Sequence, residues 1–287
     1  MSARVCVVSL VLGRDAYYRS ARESIASVLT KTPFDLCVVS DRDVEGLPDA
    51  GDRVIRRYLS AAVRDDCRAA PFLKKFEAIQ LASAATPAPV LVLLDADALF
   101  LRATGEADVT RALGDAELAM VEQPTVTGSG MTCADFFDHY RNHTLAWFGE
   151  DPGAVLDPEG FRFFNSGVVA GRRAAFESLA GWASTTIAGR DSLHRVGKHM
   201  IADQDYIQYW CHRVRPGRCA TLSWDWNHCE HWDEGFPRPG ARIAHFSNFC
   251  HGPSRVQVRR MRILARRGRL YGLEGRLLGW ISRILRG

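Results

Sequence analysis

The stretch LVLLDADALF, Leu91–Phe100, decides how the chain reads. Val90–Leu94 is unbroken apolar sequence, and a run that short with no polar face reads as a strand buried on both sides of a sheet. It ends abruptly in Asp95-Ala96-Asp97. In parallel α/β sheets, ligands gather beyond the carboxyl ends of the strands. Two carboxylates leaving such a strand one residue apart can reach a hard divalent cation that also holds phosphate oxygens. A strand end turning into solvent is the plainer alternative for the pair taken alone.

Outward from this strand, the chain alternates strand and helix. Residues 4–12 read as a buried strand, and 15–30 as a helix from the spacing of Tyr17, Ala21, Ile25, Val28 and Leu29. FDLCVVS (34–40) and 53–58 follow as strands, and 74–85 as a helix closed by Thr86-Pro87-Ala88-Pro89. Beyond the central strand, 117–121 and 166–170 are short apolar strands, with an aromatic-faced helix over 133–148 between them. A helix over 203–211 and a last strand over 241–246 complete the body. The alternation predicts an α/β fold with a mainly parallel sheet. No repeat or Gly/Ser linker occurs before residue 254, so one domain is expected over 1–254 and a tail over 255–287.

The chain has 287 residues, 47% hydrophobic and 24% charged, which excludes disorder, collagen and a disulfide-stapled miniprotein. No apolar run approaches the ~20 residues of a membrane span. The first apolar run makes a poor signal peptide, so a cytoplasmic protein is expected. Net charge is +4, yet Arg255–Gly287 holds ten arginines against one acid, Glu274, leaving residues 1–254 at −5. A basic tail on an acidic body points to an anionic surface as the tail's partner. The eight cysteines show no C-x-x-C spacing and are expected to be reduced and structural.

Three further constellations carry chemistry. In FRFFNSGVVAG (161–171), Asn165 either turns the chain or presents its amide to a sugar hydroxyl. In ADQDYIQYW (202–210), Asp203, Gln204 and Asp205 open a helix, where acids are also favoured by capping and the helix dipole. Between Trp224 and Arg255 lie His228, His231, His245 and His251. His245 ends an apolar segment and could complete a metal site. His228 and His231 have a zinc-compatible spacing but sit among Trp226 and Trp232, which favours loop or acceptor-site packing. The aromatic residues of 123–163 and 223–240 suit sugar stacking and core packing about equally.

LLDAD, FNSG, DQD and a C-terminal His, in that order over Val5 to about Arg255, resemble the GT-A nucleotide-sugar glycosyltransferases, most closely family 8. The resemblance implies a single Rossmann-like mixed sheet flanked by helices. It implies Mn²⁺ or Mg²⁺ on Asp95, Asp97 and His245, easing departure of the diphosphate. Ser9, Leu10 and Val11 would line the nucleotide pocket, Tyr17 would stack on uracil, and Lys75, or Lys74 beside it, would lie near the donor. Asn165 and Ser166 would contact the donor sugar, and Asp203, Gln204 and Asp205 would lie by its hydroxyls and anomeric carbon. The family's closing His-Phe-x-Gly-x-x-Lys-Pro-Trp is replaced here by His245-Phe-Ser-Asn-Phe-Cys-His-Gly-Pro-Ser-Arg255. Either Arg255 takes the place of the Lys on the leaving diphosphate, or His251 replaces His245 on the metal.

The implied activity is transfer of a sugar, with retention, from a nucleotide-diphosphate donor of UDP type to a glycan or glycolipid hydroxyl, as in polysaccharide biosynthesis. Gln204 would stabilise charge at the anomeric centre, being a poor nucleophile. The rival enzymes are a phosphohydrolase and a sugar nucleotidyltransferase. Their Asp-x-Asp or Gly-rich loop follows the first strand, whereas here that place reads LVLGRDAYY. A binder of anionic polymers through the tail leaves the strand-end acids unexplained. Leu273, Leu277, Leu278, Ile281, Ile284 and Leu285 recur at helical spacing beside Trp280, behind a cluster of arginines. That pattern suits an interfacial anchor on the inner face of a membrane, its helix formed only on the surface because Gly268, Gly272, Gly275 and Gly279 weaken it in isolation. A tail packed on the body or joining subunits is the plainer alternative, and nucleic acid is not expected as a partner.

Overall fold

The computed structural model describes residues 4–47, 51–60, 71–123, 133–151, 160–190, 194–230, 236–247 and 254–267. Its first half is a parallel α/β unit: β1 (Val5–Val11), α1 (Asp15–Lys31), β2 (Asp35–Ser40), β3 (Val54–Tyr58), α2 (Lys74–Ala85) and β4 (Val90–Leu94). There follow β5 (Ala98–Phe100), α3 (Glu106–Leu113), β6 (Leu118–Glu122) and a helical run of α4 (Cys133–His139), a π-helical turn (Tyr140–Thr144) and α5 (Leu145–Phe148). The remainder comprises β7 (Phe164–Arg172), α6 (Arg173–Ala188), β8 (Arg195–Val196), β9 (His199–Met200), α7 (Asp203–Tyr209), β10 (Cys219–Leu222), β11 (His228–Cys229), β12 (Ile243–His245) and α8 (Arg255–Arg267).

Seven strands form the main sheet in the order β10-β6-β7-β4-β1-β2-β3. The sheet is mainly parallel, as expected, and is made mixed by one strand, β7, which runs antiparallel to both β4 and β6. That reversal puts the start of β7 beside the end of β4, with Val168 opposite Leu94. The central strands β1 and β4 are apolar on both faces because helices cover both. On β1, Val5, Val7 and Val11 face the core under α1 and α3, while Cys6 and Val8 face the core under α2, α6 and α7. A second sheet, β11-β12-β5, carries β12 antiparallel to β5, with His245 opposite Ala98. The chain thus leaves β4, turns through the two acids, and is met at once by β12.

Two expectations change. Cys211 and Cys219 form a disulfide, joining the helical turn after α7 to β10; the fold sets their Cα atoms 5.8 Å apart, a proximity that no sequence spacing announces. Cys6, Cys37 and Cys229 are free and buried. The segment read as the start of a tail is in part body: α8 buries Val258, Met261 and Leu264, and the last two pack with Leu99, Phe236 and Phe246. Arg262 donates to Glu23 at 2.7 Å, and Arg260 pairs with Glu230. The apolar repeat within Leu270–Leu285 lies outside the described residues. No described helix is long and apolar enough to cross a membrane.

Leu264 is 1% exposed, so Leu264→Ala should lower the unfolding free energy by ~2–5 kcal/mol through lost transfer energy and a residual cavity. The same change at exposed Arg259 should alter it by less than ~0.5 kcal/mol. Urea unfolding of the two variants would distinguish a docked helix from a detached tail, which would show equal, small effects.

Candidate active site

The site lies beyond the carboxyl end of β4. The Asp95 amide donates to the Gly167 carbonyl at 2.9 Å, the Ala98 amide returns to the Asp95 carbonyl at 3.0 Å, and the Phe246 amide donates to the Asp97 carbonyl at 2.9 Å. Backbone bonds to β7 and to the residue after β12 therefore set the acidic turn. His245 Nε2 lies 3.3 Å from Asp97 Oδ1 and 3.7 Å from Asp95 Oδ2. The three groups offer ligand atoms that all lie within 4.8 Å of one another.

His245 is held from behind. Its Nδ1 lies 3.0 Å from Asn227 Oδ1 and 3.4 Å from Cys229 Sγ, and Asn227 in turn donates its amide to Asn165 Oδ1 at 2.7 Å. With Asn227 presenting a carbonyl oxygen to Nδ1, a proton is favoured there, and Nε2 is the nitrogen that would be left for a cation held between it and the acids, the usual arrangement behind a ligating histidine. Two hard carboxylates and one imidazole suit Mn²⁺ or Mg²⁺, so the donor set fits the expected cation. Burial favours neutral imidazole, but Cys229 and Asp97 outweigh it and raise the His245 pKa well above the ordinary histidine value. Burial raises the pKa of Asp95, while His245 overcomes burial and lowers that of Asp97.

Lys75, in the first turn of α2, is the buried cation beside this cluster. Its Nζ lies 2.8 Å from Asp95 Oδ1 and 2.7 Å from Asp203 Oδ2, and donates to the Ser166 carbonyl at 3.3 Å. Burial works against its charge, but Asp203 and Asp95 raise its pKa above the ordinary lysine value. Asp95 is therefore more than a strand end turning into solvent: removing it strips a buried ammonium of half its counter-charge.

The FNSG and DQD motifs meet here. Asn165 Oδ1 accepts from the Gly167 amide at 3.0 Å, and its Nδ2 donates to Gln123 Oε1 at 3.4 Å. Gln204 Nε2 reaches the same Gln123 oxygen at 3.4 Å, and its Oε1 accepts from the Ser166 amide at 3.5 Å. Gly167 admits no side chain, because a Cβ there would collide with the His245 ring. Asp205 faces away from Lys75: Thr144 Oγ1 donates to it at 2.5 Å, the Ala202 amide at 3.1 Å, and His139 Nε2 lies at 3.2 Å.

Ser9 and Val11 are buried in β1 and Leu10 is half-buried; the Ser9 hydroxyl has no hydrogen-bond partner among the described residues. Tyr17 is half-buried, its phenol pushed up by burial and by the fields of Asp97 and Asp95, so it faces the acids. Arg255 is exposed at the start of α8, away from any contact with the acids that the structure shows. His231 and His251 lie outside the described residues. His228 packs between Trp224 and Phe236 and accepts from the Arg238 amide at 3.2 Å, and burial lowers its pKa to about 4. Of the loop aromatics, Phe136 stacks on Phe163 and Phe148 on Tyr209, while Trp224 is 43% exposed. Gln123, Asn227 and Cys229 escaped the sequence reading. A lone Gln or Asn carries no motif, although Asn227 stands within the His-rich run.

No family model matches the chain, and no curated protein sequence matches it. Solved structures do. The galactosyltransferase LgtC in complex with donor and acceptor sugar analogues aligns at TM-score 0.55 and 14% identity, over 91% of this chain and 95% of that one. An active-site glutamine variant of LgtC aligns at 0.54 and 13%, with the same coverage. WbbM, a bifunctional glycosyltransferase, aligns at 0.56 and 16% over 86% of this chain; the match spans 46% of WbbM. The fold is therefore GT-A, the architecture that the motif order implies. At these identities the likeness defines the architecture alone.

The Lys75 bridge makes a measurable claim. Lys75→Met leaves the buried Asp203 and the half-buried Asp95 without their cation and should cost up to ~3–5 kcal/mol of stability. Adding Asp203→Asn should recover part of the loss in the double variant. Strict additivity in urea unfolding would show that the bridge contributes nothing as a pair.

Proposed function

We propose that the protein is a metal-dependent glycosyltransferase that moves a sugar from a nucleotide-diphosphate donor, a UDP-sugar, to a glycan or glycolipid hydroxyl with retention. The observation that carries the reading is the convergence of Asp95, Asp97 and His245 at the end of β4, within a GT-A fold and against the Asn165–Gln204 wall. LgtC, whose structure holds donor and acceptor sugar analogues, supports it by its fold.

Asp95, Asp97 and His245 would hold Mn²⁺ or Mg²⁺, which when bound supplies charge to stabilise a leaving diphosphate. Tyr17, Ser9, Leu10 and Val11 are assigned to the nucleotide, with the Tyr17 ring against the base. Lys75 orients Asp95 and Asp203 by pairing with both. It thereby fixes one acid toward the cation cluster and the other toward the sugar. Asn165 and Ser166 line the sugar side, and Gln204 offers an uncharged carboxamide to the anomeric centre. Such a dipole gains strength as positive charge develops there. Retention is carried over from the family resemblance; in such a reaction the acceptor proton would leave on a phosphate oxygen and need no strong side-chain base. Asp205 acts through position, holding the start of α7. Arg255 is assigned to the diphosphate side on its charge.

A panel of nucleotide sugars with Mn²⁺, read by nucleoside diphosphate release, tests the reading. One donor should give turnover that requires acceptor, is lost in chelator and is restored by Mn²⁺. Release of phosphate alone, or of nucleoside triphosphate from pyrophosphate, would replace the transferase with a hydrolase or a nucleotidyltransferase. Asp97→Asn should abolish release while the protein stays folded. Gln204→Ala should lower kcat more than it raises KM, and an unchanged kcat would remove Gln204 from the chemistry.

The basic C-terminal segment is assigned to an anionic membrane surface, on the inner face of the membrane. The buried apolar face of α8 is spent on the body, so the part of this contact that α8 makes is electrostatic, through Arg259 and the arginines that follow it. Binding to anionic vesicles should weaken steeply with salt and be absent on neutral vesicles. Equal binding to both would reject it.

A further inference from the structure

A second cluster of ligating side chains stands on the far side of α7 from Lys75. His139 ends α4, His143 sits in the π-helical turn that follows, and His199 lies on the β9 strand of a small hairpin. Ring centroids are 5.0 Å apart for His139 and His143 and 6.0 Å for His139 and His199; His143 and His199 lie face to face at 3.7 Å and 31°, so the exposed His199 ring has to turn aside for its nitrogen to share an ion with the other two. Each ring offers a nitrogen, and these atoms all lie within 4.8 Å of one another. His143 Nδ1 is buried with no hydrogen-bond partner among the described residues. An unpaired ring nitrogen shut away from water is costly unless something coordinates it.

The chemistry of the cluster differs from that at Asp95. Three imidazoles are borderline nitrogen donors, which suit Zn²⁺ far better than Mg²⁺ or Mn²⁺. A histidine pair four residues apart on a helical run, with a third from elsewhere, is a familiar way to supply three zinc ligands and leave a fourth position open. Asp205 supplies what lies behind such a site. Its Oδ1 faces His139 Nε2 at 3.2 Å and also accepts from Thr144 at 2.5 Å, so it can hold the His139 ring with the other nitrogen turned to a metal.

We infer that His139, His143 and His199 form a zinc site, separate from the Asp95–Asp97–His245 cluster, that clips the β8–β9 hairpin onto the α4 helical run. The hairpin leads directly into Ile201 and the start of α7. Zinc there ties the entry of the Asp203–Gln204 segment to a helical run that also meets α7 through Asp205, Trp147 and Phe148.

The test uses untagged, full-length protein stripped of metal, titrated with Zn²⁺ against a chromophoric chelator, and carried out also on Asp97→Asn. One equivalent of Zn²⁺ should bind in both. His199→Ala, on an exposed strand, should weaken binding ~10-fold or more while the metal-free melting temperature stays put, and His143→Ala should do the same. Co²⁺ in the wild type should give the intense visible bands of a four-coordinate site, absent in His199→Ala. Loss of the Zn²⁺ equivalent in Asp97→Asn, or unaltered binding in His199→Ala, would overturn the site. Neither outcome depends on whether the protein transfers a sugar.

Discussion

One buried ammonium organises the centre of this molecule. Lys75 Nζ lies within 2.8 Å of a carboxylate from the β4 turn and a carboxylate from α7, and it also donates to a carbonyl of β7. Taking a lysine out of water costs several kcal/mol unless charges of opposite sign meet it in good geometry. Here the two charges come from the β4 turn and α7, and a neutral carbonyl from β7, so α2, β4, β7 and α7 must all be in place for the ammonium to be tolerated. The same requirement orients Asp95 and Asp203 as a pair, since each is neutralised by the nitrogen between them.

The reversal of β7 is the second constraint. An antiparallel strand beside β4 begins where β4 ends, which brings Asn165, Ser166 and Gly167 next to the acids without any long connection. Gly167 leaves room for the His245 ring to lie against the backbone. Asn165 then links through Asn227 to the hidden nitrogen of that ring. Buried amides placed in series satisfy one another, and a partly satisfied chain of this kind would cost more than apolar packing. The polar centre is therefore built as a unit.

Asp203 and Asp205 show how one helical turn serves two places. Residues two apart on a helix project about 200° from each other, so the first meets Lys75 while the second meets Thr144 and His139. Gln204 lies between them, at Gln123 and Ser166. Movement of α7 would disturb both neighbourhoods together.

Much of this was written in the chain. The period of the apolar residues marked α1, α2 and the strands β1, β2 and β4 to within a residue or two, because strands buried on both faces leave no polar interruption to blur them. The abrupt acids after Leu94 marked the edge where the site lies, and the order of LLDAD, FNSG and DQD implied the fold. What escaped was whatever depends on distance through space. The direction of β7 is set by its neighbours, and a short apolar run reads alike in either sense. The Cys211–Cys219 bridge, the packing of α8 on Leu99 and Phe246, and the roles of Gln123 and Asn227 arise between segments far apart in sequence. The histidine trio belongs with them: two members share a helical run, but the third arrives only because a hairpin folds back over it. Local periodicity records which face of an element is buried; only the tertiary structure decides what it is buried against.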